Sequence, residues 1–335
     1  MREYLLLLFV AAAVTYLTTP YARAFAIRFG ALAEVRDRDV HDAPTPRLGG
    51  LAMVAGLLAT LWLASQLDFV GTVFASGTQH RALLSGVAVI VVLGVIDDRW
   101  GLDAPTKIVG QILAAGLMAT QGIALLWLPI GGTLVLDPLT SVGLTILVVV
   151  VTINAVNFVD GLDGLAAGVV GIGALAFLAY AYLLSVQFGF SSATFAALIA
   201  AALAGMCLGF LPHNVHRARL FMGDTGSMLI GLLMAAAGVT LTGYIDPGAL
   251  TGSDLVPALL PVLLPIAVIF IPLLDLVLAV VRRTRAGRDP FSPDKEHLHH
   301  RIMDLGHSQR RAVIIMWSWT ALLAFTAVSF AFVRV

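Results

Sequence analysis

Long apolar runs separated by short polar stretches organise this chain. A helix needs about 20 predominantly apolar residues to cross the hydrocarbon core of a bilayer. Ten runs approach or exceed that length: 3–20, 49–67, 81–97, 105–122, 140–157, 164–186, 193–211, 226–244, 255–281 and 311–333. Several contain Gly or Pro, which spanning helices tolerate where neighbours satisfy the freed backbone groups. Pairs such as Gly164 with Gly168 and Gly205 with Gly209 read as helix-contact positions. The pattern predicts an all-α integral membrane protein of about ten transmembrane helices, forming one polytopic domain over residues 1–335. Its chemistry is expected in the loops on one side.

The polar breaks also give a direction. Cytoplasmic loops of membrane proteins carry an excess of Lys and Arg. The segments 21–48, 98–104, 158–163, 212–225 and 282–310, with their flanks, hold 17 of the 20 basic residues. Arg2, Arg81 and Arg334 fall on the other side. The basic loops are therefore predicted to face the cytoplasm, with both termini extracytoplasmic. The apolar run after Arg2 and the triplet Ala22-Arg23-Ala24 resemble a signal peptide. The five arginines that follow the run favour an anchored first helix.

Composition agrees with lipid as the solvent. Hydrophobic residues make up 59% of the chain and charged residues 12%, against roughly 45–50% and about 25% in soluble domains. Net charge is zero, so no nucleic-acid partner is expected. The single cysteine, Cys207, lies in an apolar run and reads as a packing residue.

Ionisable residues near spans are costly and mark function by default. Here they collect in five clusters on the basic side. Pro44 to Gly50 enters the second run; its prolines stiffen the approach and Arg47 is a candidate phosphate contact, or simply a topology-setting charge. Asp97 and Asp98 end the third run, with Arg99 following and Lys107 opening the fourth. Adjacent carboxylates at the hydrocarbon edge need a metal, a cation or a shared proton. The stretch Asn154 to Gly164 includes Asn157, Asp160 and Asp163, hard oxygen donors of the kind Mg²⁺ prefers. Phe221 to Ser227 opens the eighth run, where Asp224 or Thr225 would cap a helix whose N-terminus also favours anions. The fifth cluster, Arg282 to Arg311, carries His297, His299, His300 and Arg301. Histidine there lacks the spacing and the cysteines of a zinc site. Beside Arg and Lys it suits phosphate and sugar contacts.

Asp97-Asp98, Asn154 to Gly168, Phe221 to Ser227 and His297-Leu298-His299-His300 together resemble the signature motifs of the polyprenyl-phosphate N-acetylhexosamine-1-phosphate transferases. They occur in that family's order, and Pro44 to Gly50 looks like its first cytoplasmic loop. The His-Leu-His-His-Arg text is similar to the WecA and TagO branch rather than to the phospho-N-acetylmuramoyl-pentapeptide transferases. Its surroundings resemble actinobacterial versions, where the lipid is often decaprenyl phosphate. The resemblance implies transfer of N-acetylglucosamine-1-phosphate from UDP-N-acetylglucosamine to a polyprenyl phosphate at the cytoplasmic face of a bacterial plasma membrane. It implies Mg²⁺ as cofactor, with Mn²⁺ as a substitute, and is compatible with a homodimer.

By the same resemblance, Asp224 and Asn157 would hold the metal. Asp97 would meet the acceptor phosphate, with Asp98 and Lys107 in support. Asp160, Asp163 and Asn154 would help form the nucleotide-sugar site, and Phe221 would lie against the uracil. His297, His299, His300 and Arg301 would clamp the diphosphate or sugar; the family commonly has an apolar residue where this chain has Arg301. A phospho-N-acetylmuramoyl-pentapeptide transferase or another UDP-N-acetylhexosamine-1-phosphate transferase and, more distantly, a transporter are the alternatives. Against transport, the mid-span positions are almost free of charge, Asp275 being the main exception.

Overall fold

The computed structural model describes residues 1–33, 44–128, 134–187, 191–244, scattered positions between 267 and 287, and 306–332. The described part is mostly helical: α1 (Arg2–Phe29), α2 (Gly49–Ala64), α3 (Thr72–Ser76), α4 (Gln79–Trp100), α5 (Ala104–Thr120), α6 (Pro138–Val159), α7 (Leu165–Gln187), α8 (Ser191–Asn214), α9 (Gly223–Tyr244) and α10 (Gln309–Phe332). Seven of these are long and apolar enough to cross a membrane: α1, α4, α6, α7, α8, α9 and α10. α2 and α5, at 16 and 17 residues, coincide with two further apolar runs. The run 255–281 lies almost wholly outside the described residues.

Two local features depart from the apolar pattern. α1 continues past Pro20 to Phe29, 28 residues in all, or about 42 Å at 1.5 Å per residue. It therefore outruns a hydrocarbon core of about 30 Å. Its polar end is held where Arg23 Nε donates to the Arg219 carbonyl at 3.1 Å. Between α5 and α6 a two-stranded antiparallel ribbon, β1 (Trp127–Leu128) and β2 (Leu134–Val135), pairs Trp127 with Val135. That segment is too short and too broken to register as a strand pattern. Asp137 then starts α6 by accepting from the Leu139 and Thr140 N–H groups, with Pro138 in the first turn.

α9 is the central helix. Every residue of its spanning window is buried, against 28% for α1. It packs on α4, α6 and α8, while α1 covers α2 and α8, and α10 covers α7. Outward residues of α1 such as Phe9, Leu17 and Tyr21 are exposed, the side that lipid would cover.

Glycine lets the helix ends at the polar face come together. A Cβ on Gly50 would collide with the backbone of Gly226, and one on Gly94 with the backbone of Thr225. These approaches bring the start of α2 and the last turns of α4 against the first turn of α9. Backbone bonds extend the join: Gly49 N donates to Phe221 O at 3.0 Å, Gly50 N to Met222 O at 2.9 Å, and Phe221 N to Pro46 O at 2.9 Å. Gly94→Ala should cost about 1–3 kcal/mol, because the new methyl forces packed helices apart. Thermal unfolding in detergent, alongside the remote surface variant Gly143→Ala, where a Cβ meets open space, measures that loss.

Candidate active site

Asp97, Asp98 and Asp224 converge where α4 ends and α9 begins. Each presents a carboxylate oxygen, and the three oxygens lie within 4.8 Å of one another. Asp97 and Asp98 are buried, at 5% and 4% exposure. Such packing of like charge needs positive charge nearby. Lys107 supplies it: its Nζ stands 2.8 Å from Asp97 Oδ2 and 2.5 Å from Asp224 Oδ2. The sequence places Lys107 there because Asp103 caps α5 through the Thr106 N–H, at 3.2 Å, with Pro105 in the first turn. α5 thus returns at once after α4 and aims its first turn back at Asp97.

The neighbouring acids face different partners. Asp97 Oδ1 accepts from the Leu102 N–H at 2.7 Å, while its other oxygen meets Lys107. Asp98 turns to α9: Oδ1 accepts from the Asp224 N–H at 2.8 Å, and Oδ2 from the Thr225 N–H at 3.1 Å and the Thr225 hydroxyl at 2.7 Å. A Cβ on Gly223, whose φ is +69°, would strike that carboxylate. The cap expected from Asp224 or Thr225 itself therefore comes from α4.

α6 brings the amides. Asn157 lies against the Asp224 carboxylate, and its Nδ2 donates to Ser227 Oγ at 2.8 Å. Asn154, one turn earlier, donates to Gln111 Oε1 at 2.6 Å and to the Val150 carbonyl at 2.8 Å. Its amide is thereby engaged inside the helix packing. Beyond α6, Asp160 is half-buried with its carboxyl held well above the usual carboxylate range. Burial is the main cause; the carboxylates of Asp224 and Asp98 add to it and Arg47 opposes it. Asp160 and Arg47 thus belong to the same electrostatic neighbourhood as the acid cluster.

Asp163, whose charge also bears on Asp160, ties this turn to another segment. It is buried, and its Oδ2 accepts from the Ala218 N–H at 3.0 Å. Asn214 reinforces the link, accepting from Gly164 N at 3.0 Å and donating to the Leu220 carbonyl at 3.1 Å. The turn at 160–164 is thereby locked to the segment leading into Phe221. Phe221 itself is stitched through its backbone to Pro46 and Gly49. His297, His299, His300 and Arg301 lie outside the described residues.

The oxygen-rich donor set fits a hard divalent cation such as Mg²⁺, which is bound through one or two carboxylates and substrate phosphates. Asp224, with the Asn157 amide, is the pair that would hold it, since both Asp98 oxygens are committed to α9.

A family model described as "Glycosyl transferase family 4" matches residues 80–242. The chain is 51% identical over 337 residues to the decaprenyl-phosphate N-acetylglucosaminephosphotransferase of Mycobacterium tuberculosis, covering 99% of this chain and 83% of that protein. The protein of the same name from Mycolicibacterium smegmatis is 50% identical, covering 99% and 83%. The undecaprenyl-phosphate alpha-N-acetylglucosaminyl 1-phosphate transferase of Yersinia pestis is 31% identical over 311 residues, covering 92% and 79%. This chain belongs to the polyprenyl-phosphate N-acetylhexosamine-1-phosphate transferases.

Three polar residues of this transferase have a place in the structure that the sequence did not single out. Gln111 is 2% exposed on α5, one turn beyond Lys107, and also donates to Met228 Sδ at 3.6 Å. A lone polar residue inside an apolar run, four positions after a charged one, was the available signal. Ser227 supports Asn157 and donates to the Gly223 carbonyl at 3.2 Å. Arg283 is buried, its guanidinium 5.6 Å from the centre of the Phe158 ring. Nothing in the basic run 282–288 singles it out.

The raised Asp160 carboxyl sets a testable pH dependence. A carboxyl whose folded pKa exceeds its unfolded value opposes folding once ionised. That cost is absent in acid, grows above the ordinary carboxylate range, and is complete above the raised value. Asp160→Asn should therefore raise the unfolding temperature of metal-free protein at neutral and alkaline pH. The gain should shrink to nothing as pH falls into the ordinary carboxylate range; a gain of equal size in acid would refute the charge argument.

Proposed function

We propose that this transferase moves N-acetylglucosamine-1-phosphate from UDP-N-acetylglucosamine onto a polyprenyl phosphate of decaprenyl or undecaprenyl length, releasing UMP. The reading places the site on the cytoplasmic face of a bacterial plasma membrane, in a ten-span chain with both termini outside. The convergence of Asp97, Lys107 and Asp224 at one partly buried point carries it. A polar phosphate head on a long prenyl tail is the substrate whose reacting end sits where such a cluster meets lipid.

An oxygen of the acceptor phosphate attacks the β-phosphorus of the UDP-sugar. The bond from that phosphorus to the bridging oxygen breaks, and UMP departs with the electron pair. Two anions must approach each other, so charge neutralisation and positioning dominate catalysis. Mg²⁺ held by Asp224 and Asn157 would neutralise the diphosphate and favour UMP as leaving group. Lys107, shared between Asp97 and Asp224, would place an ammonium beside the incoming phosphate. Asp97 keeps that ammonium oriented and offers an acceptor for a residual acceptor proton. A phosphate monoester loses its second proton at a pKa of about 6, so little base strength is required and displacement occurs in one step. Asp160 and Arg47 border the cluster on the side of the 160–164 turn, where the nucleotide-sugar would lie.

The assay is UMP release by purified enzyme in detergent with Mg²⁺, decaprenyl phosphate and a panel of UDP-sugars. Release with UDP-N-acetylglucosamine is expected; no release with any UDP-N-acetylhexosamine would end this reading. A sugar-phosphate trapped on Asp97 without acceptor lipid would replace the single step by a covalent route.

A further inference from the structure

We infer that Asp98 is a positioning residue, whose carboxylate caps α9 from the end of α4 and so holds Asp224 at the metal. The inference rests on the phosphotransferase reading but concerns a division of labour within it. Asp97 and Asp98 are neighbours in sequence and nearly alike in burial, yet their oxygens do different things. Asp97 meets Lys107, which also reaches Asp224. Asp98 accepts three hydrogen bonds, all from Asp224 and Thr225, with donor distances of 2.8, 3.1 and 2.7 Å.

A helix begins with N–H groups that have no partner within the helix. An anion placed there gains both charge-assisted bonds and the favourable end of the helix dipole. An acid from the helix's own chain usually does this over two or three residues. Here the cap arrives from a residue 126 positions earlier, so it ties two spans together as well as closing one. The first residue it holds is Asp224, whose backbone N–H is bonded to Asp98 while its side chain faces Lys107. The glycine contacts of Gly94 on Thr225 and of Gly223 on Asp98 leave no space for a longer connection. What separates the two acids is the partner: every bond Asp98 accepts comes from the first residues of α9, and none comes from the cation. Asp97 is the acid tied to the site's cation, through Lys107.

The test uses full-length enzyme in nanodiscs. Mn²⁺ binding is followed by electron paramagnetic resonance without nucleotide, and steady-state rates are measured across Mg²⁺ concentration. Asp98→Asn replaces an acceptor oxygen by an amide donor that faces N–H groups. Its Mn²⁺ affinity should fall about 10- to 100-fold, the range for losing support behind a metal ligand. Saturating Mg²⁺ should restore most of kcat. Unchanged Mn²⁺ affinity with a loss of kcat that excess metal does not repair would overturn the inference, because it marks a group acting on the phosphate.

Thr225→Val keeps the shape and removes only the hydroxyl bond, so it decides the matter even if Asp98→Asn does not fold. Weaker Mn²⁺ binding supports the cap; unchanged or tighter binding overturns it, since a carboxylate ligating the ion directly would be set free. Asp224→Asn separates the two levels of the argument. If that variant binds Mn²⁺ like wild type, Asp224 is no ligand and the metal reading fails. If wild type releases no UMP, the functional reading fails while the Mn²⁺ titration still reports on the cap.

Discussion

Asp224→Ala is expected to lower turnover by about 10³-fold, the upper end of the scale for losing a group that stabilises developing charge. Asp224 joins every part of the cluster. Its carboxylate meets Lys107, its backbone N–H bonds Asp98, and Asn157 lies against it. Alanine keeps the backbone N–H and therefore the cap, so α9 should remain seated and the protein inserted. The variant should elute and melt like a folded protein, yet bind Mn²⁺ too weakly to detect at concentrations that saturate wild type. Activity near the wild-type level would remove Asp224 from the chemistry.

Lys107→Met should produce the second-largest loss, about 10²- to 10³-fold in kcat/KM, on the same argument of charge stabilisation. It carries a stability signature as well. The ammonium bridges two carboxylates in a partly buried setting, at 2.8 and 2.5 Å. Removing one partner of a buried pair strands the remaining charge and costs about 3–5 kcal/mol. Lys107 keeps 26% of its side chain exposed, so solvent screening should bring the cost to the lower part of that range or below it. A divalent ion would then replace part of the missing charge. Added Mg²⁺ should accordingly raise the unfolding temperature of Lys107→Met more than that of wild type. Equal shifts in the two proteins would show that the ion and the ammonium do not share these carboxylates.

Much of this site was visible along the chain. Asp97, Lys107, Asn157, Asp160 and Asp224 stood out because each is a costly polar residue at the edge of an apolar run. The structure brings all of them, with Arg47, to one neighbourhood. Asn154 and Asp163 stood out for the same reason, and each is also bonded to another part of the protein. One is bonded within the helix packing to Gln111, the other to the backbone of Ala218. Cost marks a residue as purposeful without saying whether its partner is a ligand or another part of the protein. The histidine cluster at 297–300 lies outside the described residues.

The sequence by itself determined that lipid is the solvent, that apolar helices make up most of the chain and which polar residues stand at their ends. Those properties follow from the length of apolar stretches and the cost of charge within them, both read over some twenty adjacent positions. Only the tertiary structure decided that Asp97 faces Lys107 while Asp98 closes α9, and that Gly50 and Gly94 make room for both. Partner choice depends on how closely two backbones approach at a crossing point. No pattern within a single span encodes the position of a helix that begins more than a hundred residues away.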